Sequence, residues 1–297
     1  MLGNLAAMTF LRHGATPLAL LAFLASPAQG ADLFGEPVVH DAPAAAHGSA
    51  ISGRLELRGT YLETETAGVD ATDAIGGTLT GSVNARLGQS FNAQLDLRGM
   101  VRSADDFDSE GYGGTVHLSM RPEGRSFAVG VFGGIEALRL EDFDLANNVA
   151  VVAEVDTYLG GVEMAYLGRA VTLLARLGYG EASTDLNGFE ISADRYVAEL
   201  GARYYVTPNV RLDLSGAAQR LELAGASADR YAIEAAASWR PNGGHYSLFG
   251  GMRRDRDDDA DVVATGFFGG ARFHFGTGTL LEEDRSGALW SPLVSLE

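Results

Sequence analysis

Side chains able to carry out chemistry are sparse in this sequence. His117 and Ser119 stand two residues apart, the spacing that puts a base and a hydroxyl on one face of a strand. His274 is distant from them in the chain, and no serine–histidine hydrolase signature surrounds any of the three. His40 and His47 lie in an Ala-, Pro- and Gly-rich stretch without periodicity, where histidines are ordinarily just solvated. Asp255, Asp257 and Asp259 repeat the 1, 3, 5 spacing of a calcium loop. Position six is Ala260 and position twelve is Gly266, which excludes a regular EF-hand and leaves only a loose divalent site. Cysteine is absent, which removes disulfides, thiol catalysis and cysteine-based zinc sites. These residues point to no enzyme, no cofactor and no built metal site. One charged type is abundant: all 22 basic residues are arginine, a bias that tracks the high Ala and Gly content of a GC-rich coding sequence.

Charge and patterning show what must position these residues. The 297-residue chain has a net charge of −17, which argues against nucleic acid as a partner, because phosphate binding needs a basic face. Its hydrophobic content of 46 % is too high for a disordered chain. Arg12 and His13 precede a short apolar run, and Ala28 and Gly30 fit a small-residue cleavage site. Residues 1–30 therefore read as an export signal, with a flexible segment over 31–50. The apolar run is shorter than the ~20 residues a membrane helix needs.

From Ile51 onward the chain alternates with period two, the signature of half-buried strands. Leu55, Leu57, Gly59 and Tyr61 interleave with Arg54, Glu56, Arg58 and Thr60, and the pattern continues through twelve runs. These span 51–62, 76–87, 90–102, 111–121, 126–139, 151–166, 169–180, 193–206, 209–220, 230–240, 244–253 and 262–275. The sixth drifts in phase around Val155 to Tyr158, which predicts a bulge there. Even-numbered runs are followed by tight-turn sequences such as Gly88-Gln89, Thr207-Pro208 and Pro241 to Gly243. Odd-numbered runs are followed by longer connections, 63–74, 103–110, 140–149, 181–192, 221–229 and 254–261, holding 21 acids and two arginines. An even strand count with short turns on one side and long loops on the other predicts an all-β transmembrane antiparallel up-and-down β-barrel of about 12 strands.

The two strand faces assign inside and outside. One face carries 12 arginines (Arg54, Arg58, Arg86, Arg98, Arg102, Arg121, Arg176, Arg203, Arg211, Arg240, Arg253 and Arg272) and seven acids (Glu56, Asp96, Glu136, Glu163, Glu199, Asp213 and Glu234). So many charges would carry a large desolvation cost in a soluble core, so this face is the lumen and the apolar face meets lipid. Tyr158 and Tyr166, Tyr196 and Tyr204, and Tyr231 and Trp239 recur eight residues apart on the apolar face. Eight tilted strand residues span on the order of 20 Å, close to the expected apolar band, so the pairs read as two aromatic girdles.

Residues 51–275 resemble bacterial outer-membrane β-barrels of the porin-like group. Gly270, Phe273 and Phe275 in the last run resemble the C-terminal assembly signal of that class, with Phe268 in place of its usual polar residue and 22 residues following Phe275. The resemblance implies periplasmic termini, so that 31–50 and the tail 276–297 are periplasmic, extracellular long loops, and insertion by the barrel-assembly machinery. It also implies the outer membrane of a Gram-negative bacterium. The expected function is passive diffusion of small polar or anionic solutes through an Arg-lined lumen. The constriction is placed at Arg58, Arg98, Arg176, Arg203 and Arg211, balanced by Asp96, Glu199 and Asp213. Charge pairing across the lumen would instead seal it, leaving a structural or adhesive barrel. A third reading, an outer-membrane lipid hydrolase, has only His117, Ser119 and His274 to draw on. The acidic loops could bridge through divalent ions to lipopolysaccharide. The tail, with Leu280-Leu281, Leu289-Trp290 and Leu293-Val294, could plug the barrel or dock a periplasmic partner.

Overall fold

The computed structural model describes residues 49–66, 71–104, 107–122, 124–186 without 145–148, and 189–291. The expected export signal, His40 and His47 lie outside them. Twelve strands follow in order: β1 (Ile51–Thr66), β2 (Thr72–Leu87), β3 (Phe91–Ala104), β4 (Phe107–Met120), β5 (Phe127–Asp144), β6 (Val149–Leu167), β7 (Val171–Leu186), β8 (Phe189–Thr207), β9 (Val210–Leu223), β10 (Ala226–Trp239), β11 (Tyr246–Asp257) and β12 (Val262–Phe275). One short helix, α1 (Leu280–Ser286), comes after them. Each strand pairs antiparallel with its sequence neighbours, and β1 pairs with β12 to close the barrel. Closure leaves no unpaired edge, the condition for a sheet to lie in hydrocarbon.

The closing seam sets Arg58 opposite Gly270 and Glu56 opposite Arg272. A Cβ at Gly270 would lie 2.0 Å from the Leu57 carbonyl oxygen and 2.7 Å from the Phe249 ring. Only glycine lets β12 meet β1 here, whatever else Gly270 does for assembly.

The alternation sorts as expected. Leu57, Leu97, Val131, Val162, Leu177, Leu214 and Ile233 are exposed on the outer surface, whereas Asn84, Gln94, Asp96, His117, Glu163, Arg176 and Arg203 are buried inside. This inversion of a soluble protein's arrangement makes the outer wall a lipid-facing surface. All six members of the girdle pairs are exposed on that wall.

Two expectations need correction. The long connections are mostly strand: β9 and β10 run to a two-residue turn at Ala224 and Gly225, both with positive φ, and β7 and β8 leave only 187–188 between them. Above the lipid band nothing requires apolar alternation, and cross-strand ion pairs such as Arg220–Asp229 (2.7 Å) and Arg230–Asp257 (2.9 Å) continue the ladder. The phase drift in β6 is not a bulge. Val155 to Tyr158 pair in unbroken register with Thr184 to Glu181. Glu154 and Asp156 simply point outward beyond Tyr158, past the apolar band. The register shift lies instead between Tyr205 and Thr207, beside the β8–β9 turn.

Candidate functional site

The chain after β12 turns back into the barrel. Gly276 takes a φ of 77°, and Thr279 then caps α1 by accepting a hydrogen bond from the Glu282 amide at 3.0 Å. Thr279 and Glu282 have the spacing of a capping box. Residues Gly287 to Trp290 are buried, with Leu289 and Trp290 packed against Ala128, Ala165 and Leu167 of the inner wall. The segment from α1 to Ser291 thus fills the lumen at the short-turn end. Leu281 N–H donates to the Pro208 carbonyl of the β8–β9 turn at 3.0 Å, which anchors the helix at the rim.

Lumen side chains grip this segment at both charged and main-chain groups. Arg54 lies 2.7 Å from Glu283, and Arg203 lies 2.6 Å from Asp284. Arg211 stands 3.9 Å from the same Asp284 oxygen. His274 Nδ1 is 2.6 Å from the other Glu283 oxygen. Each carbonyl from Ala288 to Ser291 accepts from the wall: Ala288 from Arg54 (3.2 Å), Leu289 from Arg203 (2.9 Å), Trp290 from Gln94 (2.8 Å) and Arg54 (3.1 Å), and Ser291 from Arg176 (2.6 Å). Gln94 also receives the Trp290 amide at 3.2 Å. Arg121 and Arg240 hold the carbonyls of Asp284 (3.2 Å) and Thr277 (2.6 Å), and Arg285 of α1 reaches back to Thr172 Oγ1 at 2.7 Å. The Trp290 ring stacks on His117, 6.4 Å between centroids and 9° between planes.

Burial is the largest single influence on the Glu283 carboxyl and pushes its pKa up. The His274 hydrogen bond and the Arg54 charge together outweigh it, and Glu283 sits well below the ordinary carboxylate range. Asp284 is likewise pushed up by burial and brought below its ordinary value by Arg203 and Arg211. Both acids are therefore ionised in the docked segment.

Above this plug lies a cavity of about 220 Å³ whose floor includes Ser291. Nine arginines and five carboxylates line it, an excess of four positive charges. Each carboxylate faces a lining arginine: Glu234–Arg58 at 2.8 Å, Glu56–Arg272 at 2.5 Å, Glu199–Arg176 at 2.5 Å, Asp213–Arg211 at 2.9 Å and Asp255–Arg253 at 2.7 Å. Glu283 and Asp284 of the plug offset two of the four excess charges. Arg58 lies over the Phe268 ring at 3.6 Å and Arg272 over Phe249 at 4.0 Å, so Phe268 serves as an inward platform for a guanidinium. On the far wall Phe132, Leu159 and Val197 form a small apolar cluster inside the lumen.

The structure places all eight expected lumen residues on the inner face, but in two groups. Arg58, Arg98, Arg176, Glu199, Arg203, Arg211 and Asp213 line the cavity. Asp96 lies at plug level, 3.0 Å from His117 Nε2, with Glu163 2.9 Å from Nδ1. His117 is thus held between two carboxylates beneath Trp290, and Gln94 donates to both Asp96 oxygens at 2.9 and 3.0 Å. Of the closing-strand residues, Phe273 faces outward, and Phe275 lies against Gly53, where a Cβ would stand 2.5 Å from its ring. The three loop aspartates take separate partners: Asp255 with Arg253, Asp257 with Arg230, and Asp259 with the Asp229 amide at 2.7 Å.

Residue-by-residue reading missed the roles of Glu283, Asp284 and Gln94, and left Arg195 off the lumen face, where it lies 3.8 Å from Glu136. The capping box at Thr279 and the Leu289-Trp290 pair were the available signals for the plug.

No protein-family model and no curated relative matches the chain. Among solved structures, the translocator domain of the autotransporter NalP from Neisseria meningitidis is similar at 14 % identity, covering 77 % of this chain and 90 % of that one, with a TM-score of 0.50. The beta domain of the Bordetella autotransporter Brka follows at 11 % identity, 75 % and 98 % coverage and a TM-score of 0.47. A Pseudomonas aeruginosa FadL homologue is similar at 10 % identity, 76 % and 90 % coverage and a TM-score of 0.47. These likenesses concern the fold. The closed ring of twelve strands, its apolar outer wall and its charged interior make this chain a β-barrel of the bacterial outer-membrane type.

Proposed function

We propose that the protein is an outer-membrane channel for small anionic solutes, closed at its short-turn end by its own C-terminal segment. The observation that carries this reading is the cavity above the plug, where arginines outnumber carboxylates nine to five. An excess of fixed cations in a narrow low-dielectric lumen concentrates anions and repels cations. The planar guanidinium also suits carboxylate in particular, by paired hydrogen bonds. On this reading the short-turn end faces the periplasm and the acidic rim faces outward, where divalent ions could link it to lipopolysaccharide. The closing strand would present Gly270, Phe273 and Phe275 to the assembly machinery, and no nucleic acid or cofactor takes part.

We read the barrel as non-catalytic. His117 is occupied by Asp96, Glu163 and Trp290, an arrangement suited to holding the plug. A second reading, a sealed barrel with a structural role, is favoured by the wall's hold on every carbonyl from Ala288 to Ser291. Planar-bilayer recording separates the two. The Glu283→Gln, Asp284→Asn, Trp290→Ala triple variant should show stable, anion-selective conductance and the parent protein rare openings. A correctly folded triple variant that stays silent would establish the sealed barrel. In the conducting variant, Arg98→Glu with Arg203→Glu should move the reversal potential toward cation selectivity.

A further inference from the structure

Three arginines belong to both parts of the lumen. Arg54, Arg203 and Arg211 line the cavity and also face the plug's two carboxylates. Each is almost wholly buried, at 7 %, 6 % and 6 % exposure. If the plug leaves, the three guanidiniums lose Glu283 and Asp284 together with the main-chain groups that cover them, and Asp213 remains beside Arg203 (3.8 Å) and Arg211 (2.9 Å). A cluster of fixed cations in a narrow lumen, where arginines outnumber carboxylates nine to five, attracts a replacement anion. Gln94 and Arg176 are released at the same moment from the Trp290 and Ser291 carbonyls, adding donors at the same level.

We propose that Arg54, Arg203 and Arg211 form a binding site for a small polycarboxylate, and that Glu283 and Asp284 occupy this site as a built-in substitute for the ligand. The inference rests on the channel reading above and names its solute class and its control. A solute entering the cavity meets the same guanidiniums that hold the plug, so binding and closure compete. Two adjacent acids on one helix are met by a row of arginines, which favours a molecule carrying more than one carboxylate over a monovalent anion. By linkage, a ligand that binds only the unplugged form shifts the population toward it.

The chain has two tryptophans, and Trp239 lies on the lipid face while Trp290 is in the plug. Full-length protein with Trp239→Phe therefore reports on the plug alone. Citrate, added at constant ionic strength, should raise acrylamide quenching of Trp290 by about threefold, with acetate leaving it unchanged. In the same background, Glu283→Gln with Asp284→Asn should be quenched without citrate. By titration calorimetry this variant should bind citrate at least about thirtyfold more tightly than the parent, because the arginines remain and their internal competitor is gone. Equal effects from phosphate or sulfate would overturn the polycarboxylate assignment. Absence of citrate binding to the double variant would overturn the site itself. Either result would leave the channel reading standing, since that reading depends on conductance of the unlatched barrel.

Discussion

Asp284→Asn tests how firmly the plug is latched. The Asp284 side chain is fully buried, with Arg203 at 2.6 Å and Arg211 at 3.9 Å. Removing one partner of a buried ion pair costs ~3–5 kcal/mol, because the other charge stays behind without solvent. Two features of this site reduce the figure. Arg203 keeps the Leu289 carbonyl and Ser291 Oγ, both at 2.9 Å, and Arg211 keeps Asp213 at 2.9 Å. Asparagine also retains a carbonyl oxygen in nearly the same place. We therefore expect a loss of ~2–3 kcal/mol from the docked state, which at ~1.4 kcal/mol per tenfold lowers the closed-to-open ratio about 30- to 150-fold. Single-channel open probability reads this directly, with heat-modifiable migration showing that the barrel is intact. Arg220→Gln is the matched control: its partner Asp229 is at 2.7 Å, but the arginine is 52 % exposed at the loop end, where an ion pair contributes only ~0–1 kcal/mol. A change of less than about threefold for Asp284→Asn, no larger than the control, would refute the latch.

Acid should release the plug. Glu283 and Asp284 are held below their ordinary values when docked, so their contribution is complete above the ordinary carboxylate range and is lost as pH falls toward the docked values. Trp290 quenching should therefore rise below about pH 4, and quenching that stays flat down to about pH 2 would overturn the carboxylate latch. Leu97→Arg puts a charge on the lipid face at a residue 57 % exposed there, and should destabilise the barrel by ~2–4 kcal/mol in denaturant titrations in vesicles. Gly270→Ala cannot be accommodated against the Leu57 carbonyl, so β1 and β12 should fail to close and the heat-modifiable form should be lost. Retention of that form would show that the seam can yield by more than the contact allows.

Much of the barrel was legible in the chain because membrane strands obey two local rules. Alternation has period two, so Leu55, Leu57 and Tyr61 separate from Arg54, Glu56 and Arg58 with no knowledge of their neighbours. Lipid then dictates which face is outside, since charge there is costly. The rule holds only inside the apolar band, and the reading failed outside it: Glu154 and Asp156 suggested a bulge when they merely stand above the lipid. The acidic loops misled for the same reason, because strands continue beyond the membrane on cross-strand ion pairs that a single chain segment does not reveal.

The sequence by itself thus determined the number of strands, the lipid-facing wall and the cationic character of the lumen, all of them consequences of local periodicity and desolvation. Only the tertiary structure decided what fills that lumen. Arg54 meets Glu283 across 229 positions and Gln94 meets Trp290 across 196, contacts that exist only once β1 has closed on β12 and the chain has turned at Gly276. No local pattern distinguishes an arginine that lines a passage from one that holds a plug. The difference lies in which carboxylate the closed ring brings to it.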